Sequence, residues 1–181
     1  KNNQVGYVSN TIPTNFRQLV LKELAHYGET CKCINCREIK DNPSNPKKAI
    51  LKVEEYDASE GKEFFISYNT EDMKYLYGFI RLRFNNNITN GPFKETNMAL
   101  IRELHVYGSV EKVNEKECNE RVQHIGFGKR LLKKAEEIAW NNGYENICII
   151  SAVGTRNYYR KFNYELSNTY MIKNLTKEYS Y

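Results

Sequence analysis

The sequence lacks the features by which membrane-spanning and secreted proteins are recognised. No apolar run approaches the roughly twenty residues that a transmembrane helix needs. Residues 1–13 lack the charged start and apolar run of a signal peptide. The chain also begins at Lys1 without an initiator methionine. We therefore expect a fragment of a longer protein that has no signal peptide and no membrane partner.

What the sequence does contain is typical of a globular domain. Its 181 residues are 40% hydrophobic and include fourteen tyrosines and eight phenylalanines. This apolar content is too high for a disordered chain. The length suffices for one domain with its own core and a small additional segment.

The net charge of +5 is concentrated near the N-terminus. Residues 1–52 contain nine Lys or Arg against four Asp or Glu, whereas residues 53–181 contain eighteen of each. Such a flank is either an ordinary solvated surface or a basic surface that faces an anionic partner such as nucleic acid. In the second case, Lys47 and Lys48 would contact the phosphates of that partner.

Three of the five cysteines lie close together in the segment CKCINC. A disulfide framework would space them over loops, so the clustering predicts a metal site in a reducing compartment, and hence a cytoplasmic protein. The predicted ligands of a structural zinc are Cys31, Cys33 and Cys36, and the alternative is free thiols. Zinc sites usually have four ligands, so the fourth is either His26 or a residue outside this sequence. Cys148, in an apolar run, is expected in the core.

The first part of the chain differs in character from the rest. Residues 14–27 have helical periodicity, and the cysteines follow. The segment 41–46 is rich in turn-forming residues and marks a domain boundary. We therefore predict a linker and cysteine-rich segment over residues 1–47 and a second domain over residues 48–181.

The second domain begins with segments rich in β-branched and aromatic residues, which predict strands. Apolar residues alternate with Arg81 and Arg83, so both arginines are expected opposite the apolar face. The charged turn 69–74 predicts an antiparallel hairpin between two of the strands. The predicted strands cover residues 49–56, 63–68, 75–84 and 101–108.

A long amphipathic helix follows, with lysines and glutamates opposite its apolar stripe. An apolar run over residues 146–153 then predicts a strand buried on both faces. A strand, a helix and a buried strand in succession predict parallel strands. A short helix over 155–162 and a strand pair over 164–175 complete a mixed α/β sheet, antiparallel first and parallel around the helix. The apolar stripe consists of Leu131, Leu132, Ala135, Ile138 and Ala139.

The turn 123–128 (QHIGFG) precedes this helix and is a candidate anion site. Glycines let backbone N–H groups approach an anion closely, and the helix N-terminus adds free amides and the positive end of its dipole. Lys129 and Arg130 oppose that dipole, so a bound anion would offset their cost. The alternative is an ordinary helix start, because many helices begin after such a turn.

The order of these elements, with a Gln-x-x-Gly-x-Gly turn before the long helix, resembles the GNAT superfamily of N-acetyltransferases. Residues 157–164 (NYYRKFNY) are similar to the late helix of that superfamily, in which a tyrosine faces the thioester. The resemblance covers roughly residues 48–175 and implies an α/β fold, with a central mixed sheet flanked by helices, that binds acetyl-CoA. Asn163 stands where the family has a glycine, and asparagine tolerates left-handed backbone comparatively well.

Two strings narrow the resemblance to the family of Elongator catalytic subunits: residues 102–109 (RELHVYGS) and 154–161 (GTRNYYRK). That family joins a radical-SAM domain, with a 4Fe–4S cluster and S-adenosylmethionine, to a GNAT-like domain that serves modification of the tRNA wobble uridine. The N-terminal helix and cysteines resemble the joint between the two domains. The resemblance implies that this chain lacks the radical-SAM domain. It also implies three kinds of partner: tRNA, the radical-SAM domain of the full-length protein and other Elongator-type subunits.

The resemblance also implies where acetyl-CoA binds. The backbone of Glu103–Val106 would pair with the pantetheine amides. The amides of residues 125–130 would hold the pyrophosphate, with Lys129 and Arg130 adding cationic side chains. The predicted acetyl-CoA-binding residues are Glu103, Leu104, His105, Val106, Gln123, Ile125, Gly126, Phe127, Gly128, Lys129, Arg130, Asn157 and Tyr159.

Four residues are candidates for the chemistry. Glu103 and His105 share one face of a strand, and either would act as general base or order a water that does so. Tyr159 would protonate the leaving thiolate, with Tyr158 packing beside it or reaching the sulfur instead. For each residue the alternative is an ordinary structural role.

Two classes of function remain open. The first is an acetyl-CoA-dependent acyltransferase domain of a tRNA wobble-uridine carboxymethylating enzyme, which opens the thioester when tRNA docks. A variant in the same class transfers the acetyl group to a protein lysine, histones included. The second class is a non-catalytic tRNA-binding module whose basic flank holds the phosphates.

Overall fold

The boundary between the two compact parts of the chain lies between Arg37 and Glu38. The computed structural model describes residues 15–40, 42, 44–85, 97–107 and 126–179. In the second unit Ile39 is buried, and its N–H donates to the carbonyl of Leu76 at 3.1 Å. The units therefore divide earlier than the predicted boundary after residue 47. The identity of residues 1–47 as a linker that follows a radical-SAM domain stays a prediction.

The first unit contains one helix and the cysteine segment. Helix α1 spans Phe16–His26, as the periodicity of the sequence predicts. A 3-10 turn, Ile34–Cys36, comes later, and the N–H groups of Cys36 and Arg37 donate to the carbonyl of Cys33. This turn folds the segment back on itself and brings its cysteine side chains together.

The second unit is built on a seven-stranded sheet with the order β1-β2-β3-β4-β5-β7-β6. Neighbouring strands are antiparallel except β4 and β5, which are parallel. The predicted hairpin and the predicted parallel pair are both confirmed. The strands are β1 (Ile50–Ala58), β2 (Gly61–Asn69), β3 (Leu76–Asn85), β4 (Met98–Val106), β5 (Asn146–Ile150), β6 (Glu165–Ser167) and β7 (Tyr170–Asn174).

A two-residue turn joins β1 to β2. Its residues, Ser59 and Glu60, have φ angles of 46° and 60°. Positive φ at both positions is the geometry of a type I′ turn, whose twist matches that of the flanking strands. The turn thereby fixes the register in which Glu63 lies opposite Tyr56.

Helix α2, Phe127–Asn141, packs on β2, β3 and β4 through the predicted apolar stripe. Leu131 and Leu132 are buried, and the Phe127 ring stacks on that of Tyr77 with 5.4 Å between centroids. Each large apolar side chain buried in this way contributes about 1.5–3 kcal/mol. Two short helices follow, α3 (Arg156–Arg160) and α4 (Thr176–Tyr179). Within the described ranges, no helix combines the length and apolar character that a membrane crossing needs.

The expectation that the glutamates of α2 lie opposite its apolar stripe is wrong for Glu136. This residue is 3% exposed, and its carboxylate accepts hydrogen bonds from the Tyr164 hydroxyl and the Lys173 ammonium, each at 2.9 Å. Burial raises the pKa of the Glu136 carboxyl, and the hydrogen bond from Lys173 opposes that rise. The network ties α2 to β7.

Candidate active site

The central strand β4 leaves part of one edge without a partner strand. It pairs with β5 only along Met98–Ile101, whereas Glu103–Val106 pair with β3 alone among the described residues. A β-bulge at Arg102, the extra residue on β4, lies where β4 and β5 part. No described strand covers the β5 side of Glu103–Val106, so the backbone groups there can pair with an extended ligand, as an added strand would.

The first turn of α2 provides three N–H groups that have no acceptor within the helix. Gly126 precedes the helix with a φ angle of 71°, a left-handed conformation that favours glycine. The amide of Arg130 donates to the carbonyl of Gly126 at 3.0 Å. Helix geometry leaves the earlier amides, those of Phe127, Gly128 and Lys129, without an intrahelical acceptor. Together with the helix dipole they make this helix start able to bind an anion.

A cleft of about 530 Å³ lies between β4, the start of α2 and α3. Inside it, the Tyr158 side chain lies against Gly128. A Cβ atom on residue 128 would collide with the Tyr158 hydroxyl and lie 3.6 Å from Cγ2 of Val106. A larger residue at position 128 would force the Tyr158 phenol to shift. The lining residues are Leu104, Val106, Gly126, Gly128, Lys129, Thr155, Tyr158, Tyr159, Lys161 and Phe162.

The cleft brings together predicted site residues from three separate parts of the sequence. Phe127 is fully buried and does not line the cleft. The predicted residues Gln123 and Ile125 lie outside the described ranges. The sequence analysis missed three of the lining residues. All three lie in or beside residues 157–164, the segment that resembles the late GNAT helix, and that resemblance could have identified them. These three are Thr155, Lys161 and Phe162.

Five of the described residues predicted to bind acetyl-CoA do not line the cleft: Glu103, His105, Phe127, Arg130 and Asn157. The guanidinium of Arg130 sits over the ring of Tyr68, 4.5 Å from its centroid. The side-chain oxygen of Asn157 accepts a hydrogen bond from Arg160 at 2.6 Å. Lys129 is therefore the cation at the helix start that lines the cleft.

The two candidate acid tyrosines differ in exposure. Tyr159 is 7% exposed and Tyr158 is 37% exposed, and their rings meet edge to face at 5.3 Å. Burial raises the pKa of Tyr158. Burial, with a smaller contribution from Tyr158, raises the pKa of Tyr159 to about 12. Both phenols therefore stay protonated at neutral pH and can donate a proton.

The two candidate bases lie on the opposite face of β4 from the cleft-lining residues, as predicted from strand alternation. The guanidinium of Arg81 is 3.8 Å from the carboxylate of Glu103. The His105 ring stacks on Phe79, with 6.0 Å between centroids. Both candidate bases are exposed, so a substrate can reach either from this face.

A charged cluster lies farther along the same face, around the buried carboxylate of Glu63. Glu63 is 1% exposed and accepts hydrogen bonds from Arg81 at 3.2 Å, from Arg83 at 3.1 Å, from Arg102 and from the Tyr56 hydroxyl at 3.0 Å. Burial raises the pKa of this carboxyl, but the hydrogen bonds, led by that of Arg102, lower it to about 2 overall. The expected position of both β3 arginines, opposite the apolar face, is confirmed.

The predicted metal ligands come together within the first unit. The sulfur atoms of Cys31, Cys33 and Cys36 lie within 4.8 Å of one another. Tetrahedral zinc holds thiolates about 3.8 Å apart, so these residues fit three of its four positions. The N–H of Cys36, followed by the neighbouring thiols, lowers the pKa of Cys33 to about 6, which favours the thiolate. No His, Asp or Glu of the described residues joins the group, so His26 is not placed there.

Comparison with known proteins gives a consistent family assignment. The model of the acetyltransferase (GNAT) family matches residues 33–164. The chain is 39% identical over 166 residues to Elongator complex protein 3 of Danio rerio and of Homo sapiens. The matched region covers 89% of this chain and 30% of each relative. It is 38% identical over 173 residues to the Schizosaccharomyces pombe protein of the same name, and that match covers 92% of this chain and 32% of the relative.

A solved structure is also similar. Archaeal Elp3 of Methanocaldococcus infernus, with an N-terminal deletion, superposes with a TM-score of 0.71 at 32% identity, over 90% of this chain and 39% of that one. The predicted GNAT fold and the resemblance to Elongator catalytic subunits are confirmed. The chain spans about 30% of the length of the curated relatives it matches. Nothing in this region supports an iron–sulfur cluster or S-adenosylmethionine, which stay expectations for the rest of such an enzyme.

Proposed function

Because the chain belongs to the acetyltransferase (GNAT) family, we propose that its cleft binds acetyl-CoA. We further propose that it is the acetyl-CoA-dependent acyltransferase domain of a tRNA wobble-uridine carboxymethylating enzyme and opens the thioester when tRNA docks. Its similarity to proteins named Elongator complex protein 3 supports this assignment. The remaining length of such an enzyme would supply the radical chemistry.

One observation carries the proposal: an unpaired strand edge, a free helix N-terminus and two protonated phenols meet in one cleft. Acetyl-CoA has matching groups in the same order, because its pyrophosphate is followed by an arm with two amides and then by the thioester. The amides of Gly128 and Lys129, which line the cleft, would bind the pyrophosphate. The backbone of Glu103–Val106 would bind the pantetheine arm. The side chain of Lys129 adds a positive charge to the pyrophosphate end.

The chemistry of thioester opening requires one base and one acid. In the proposed step, water adds to the thioester carbonyl, and its proton passes to Glu103 or His105, or to a water that either of them orders at the edge of β4. The C–S bond then breaks, and the leaving sulfur takes a proton from the hydroxyl of Tyr159. Tyr158, the more exposed of the two phenols, is the alternative donor.

We also propose that the cysteines of the first unit hold a structural zinc. Cys31, Cys33 and Cys36 would supply three thiolates, and a residue outside the described group would supply the fourth ligand. Zinc binding would then fold the segment around the turn Ile34–Cys36, because a short loop of this kind has little apolar core of its own.

Binding of acetyl-CoA is tested by isothermal titration with a non-hydrolysable acetyl-CoA analogue. Gly128→Glu should abolish binding, because it fills the cleft and places a carboxylate at the anion site. Gly154→Glu is the matched control, since nothing lies within 4 Å of a Cβ there. Absence of binding to the unmodified protein would overturn the proposed function.

The substrate class is tested by free-thiol release from acetyl-CoA with and without total tRNA. The proposal expects tRNA to raise the rate. A rate that tRNA leaves unchanged, and that a histone peptide raises, would instead indicate a lysine acetyltransferase. Absence of thiol release, together with salt-dependent tRNA binding that weakens when Lys47 and Lys48 are neutralised, would indicate a non-catalytic tRNA-binding module.

A further inference from the structure

Helix α1 carries an arginine whose guanidinium lies against two of the clustered cysteines in the first unit. The Nη2 atom of Arg17 is 3.2 Å from Sγ of Cys36 and 3.6 Å from Sγ of Cys33. Because sulfur is larger than oxygen, both distances are those of hydrogen bonds in which the guanidinium donates. Arg17 and Cys33 are sixteen positions apart in the sequence, so this contact joins α1 to the cysteine segment.

Packing of α1 does not account for the position of the Arg17 side chain. No residue of this helix is buried, and Arg17 itself is exposed. The charged end of an exposed arginine ordinarily extends into water. The contact of one guanidinium with two sulfur atoms therefore indicates attraction to negative charge at the cysteines.

The zinc site proposed for these cysteines would carry such a charge. The two positive charges of zinc are set against three thiolates, which leaves one negative charge before the fourth ligand is added. Arg17 cannot be that ligand, because a guanidinium has N–H donors and no acceptor atom. It can neutralise the charge and hydrogen-bond to the bound sulfurs, as groups beside the ligands do in other metal sites.

We propose that Arg17 is a positioning residue of the zinc site, which binds the thiolates of Cys33 and Cys36, offsets their charge and raises the affinity for zinc. This inference rests on the structural zinc of the proposed function, to which it adds a residue that the cysteine motif does not contain. Zinc affinity therefore depends on α1 as well as on the cysteine segment.

The test is a titration of the intact, metal-free protein with zinc in competition with a chromophoric chelator. Arg17→Met, which keeps an apolar stem but no charge, should bind zinc about 10- to 100-fold more weakly, the usual loss when a group that supports the ligands is removed. Arg17→Lys keeps the charge but not the planar fork, so it should lose less. Lys22→Met is the matched control and should retain the unmodified affinity, since it removes an exposed cation from the same helix.

Cobalt(II) bound in place of zinc provides a second measurement, which a general weakening of the helix would not imitate. Hydrogen bonds from Arg17 stabilise the lone pairs of the thiolates. Without them, less energy is needed to move an electron from sulfur to cobalt. The sulfur-to-cobalt charge-transfer absorption should therefore move to longer wavelength in Arg17→Met and stay unchanged in Lys22→Met.

The outcomes separate this inference from the proposed zinc site. Unchanged zinc affinity, or an unchanged cobalt spectrum, in Arg17→Met would overturn the inference and leave the zinc site standing. Equal losses of affinity in Arg17→Met and Lys22→Met would also overturn it, because the effect would then belong to the charge of the helix as a whole. Absence of zinc binding to the unmodified protein would overturn the zinc site itself, and the inference with it.

Discussion

The hydroxyl of Tyr158 occupies the space that a Cβ atom on residue 128 would need. This contact joins the start of α2 to α3, two elements separated by strand β5 in the sequence. It explains why a glycine follows Phe127, since any larger residue would displace the phenol from its place in the cleft. The second glycine of the turn therefore shapes the wall of the cleft, whereas Gly126 provides the left-handed backbone before the helix.

Gly128→Ala should weaken binding of a non-hydrolysable acetyl-CoA analogue several-fold, because it displaces the Tyr158 phenol, which forms part of the cleft wall. The added methyl group pushes the Tyr158 ring into the space of the ligand. Calorimetric titration measures the effect, and Gly154→Ala, at an open position, should bind as the unmodified protein does. Unchanged affinity in Gly128→Ala would contradict this account of the contact.

A double-mutant cycle identifies the atom responsible. Tyr158→Phe removes the hydroxyl, and the nearest remaining ring atom, Cζ, lies 3.4 Å from the added Cβ. The loss caused by Gly128→Ala should therefore be several-fold smaller when it is combined with Tyr158→Phe. Additive effects of the two substitutions would show that the methyl group acts by another route.

The rate of thiol release should not fall between pH 6 and about pH 10 because of ionisation of the tyrosine that donates the proton. Burial raises the pKa of both tyrosines, to about 12 for Tyr159, so the donor stays protonated across this range. In the proposed assignment the proton donor is Tyr159. Tyr159→Phe should therefore lower the rate of thiol release about 100-fold at pH 7, because general-acid catalysis typically contributes a factor of at least about 100. A rate profile from pH 6 to pH 10, corrected for the uncatalysed reaction, provides the measurement.

The control for this experiment is Tyr144→Phe. Tyr144 stacks on Phe84, with 4.3 Å between ring centroids, and does not line the cleft. Its substitution should leave the rate unchanged. A large loss in Tyr158→Phe with little loss in Tyr159→Phe would reassign the proton donor to Tyr158.

The parts of the fold that local pattern determines could be predicted from the sequence. Strand alternation placed Arg81 and Arg83 opposite the apolar face, and helical periodicity gave the buried stripe of α2. Asn163 was expected to tolerate left-handed backbone, and its φ angle of 65° confirms this.

Local pattern could not reveal contacts between distant residues. Glu136 is buried because Lys173, 37 positions later, pairs with it. Arg130 lies over Tyr68, a residue of β2, so its side chain is drawn away from the anion site. Both residues lie in the predicted helix, but the environment of each depends on a strand far away in the sequence.

Replacement of Glu63 should lower stability in a pH-dependent way. The folded protein holds the pKa of this buried carboxyl at about 2 instead of its ordinary 4.5, which corresponds to about 3 kcal/mol of unfolding free energy. Because the folded pKa is lowered, this stabilisation is fully present above about pH 4.5 and is lost as the pH falls towards 2. Glu63→Gln, which cannot ionise, lacks it at every pH.

The measurement is urea unfolding of the unmodified protein and of Glu63→Gln at pH 7 and at pH 3. The difference in unfolding free energy should be about 3 kcal/mol at pH 7 and clearly smaller at pH 3. Glu55→Gln is the surface control, because Glu55 pairs with Lys62 at an exposed site and such pairs contribute about 0–1 kcal/mol. A difference that does not change with pH would contradict the role of the Glu63 charge.

Replacement of one cysteine in the first unit should remove the proposed zinc. Zinc with only two thiolates binds far more weakly than zinc with three, so Cys33→Ser should retain less than about a tenth of the metal after dialysis against a mild chelator. Cys148→Ala is the matched control, because this buried thiol belongs to no group of potential metal ligands among the described residues. Elemental analysis of the purified proteins should give one zinc per chain in the unmodified protein and in Cys148→Ala. Equal zinc content in all three proteins would place the metal elsewhere, and zinc in none of them would indicate free thiols.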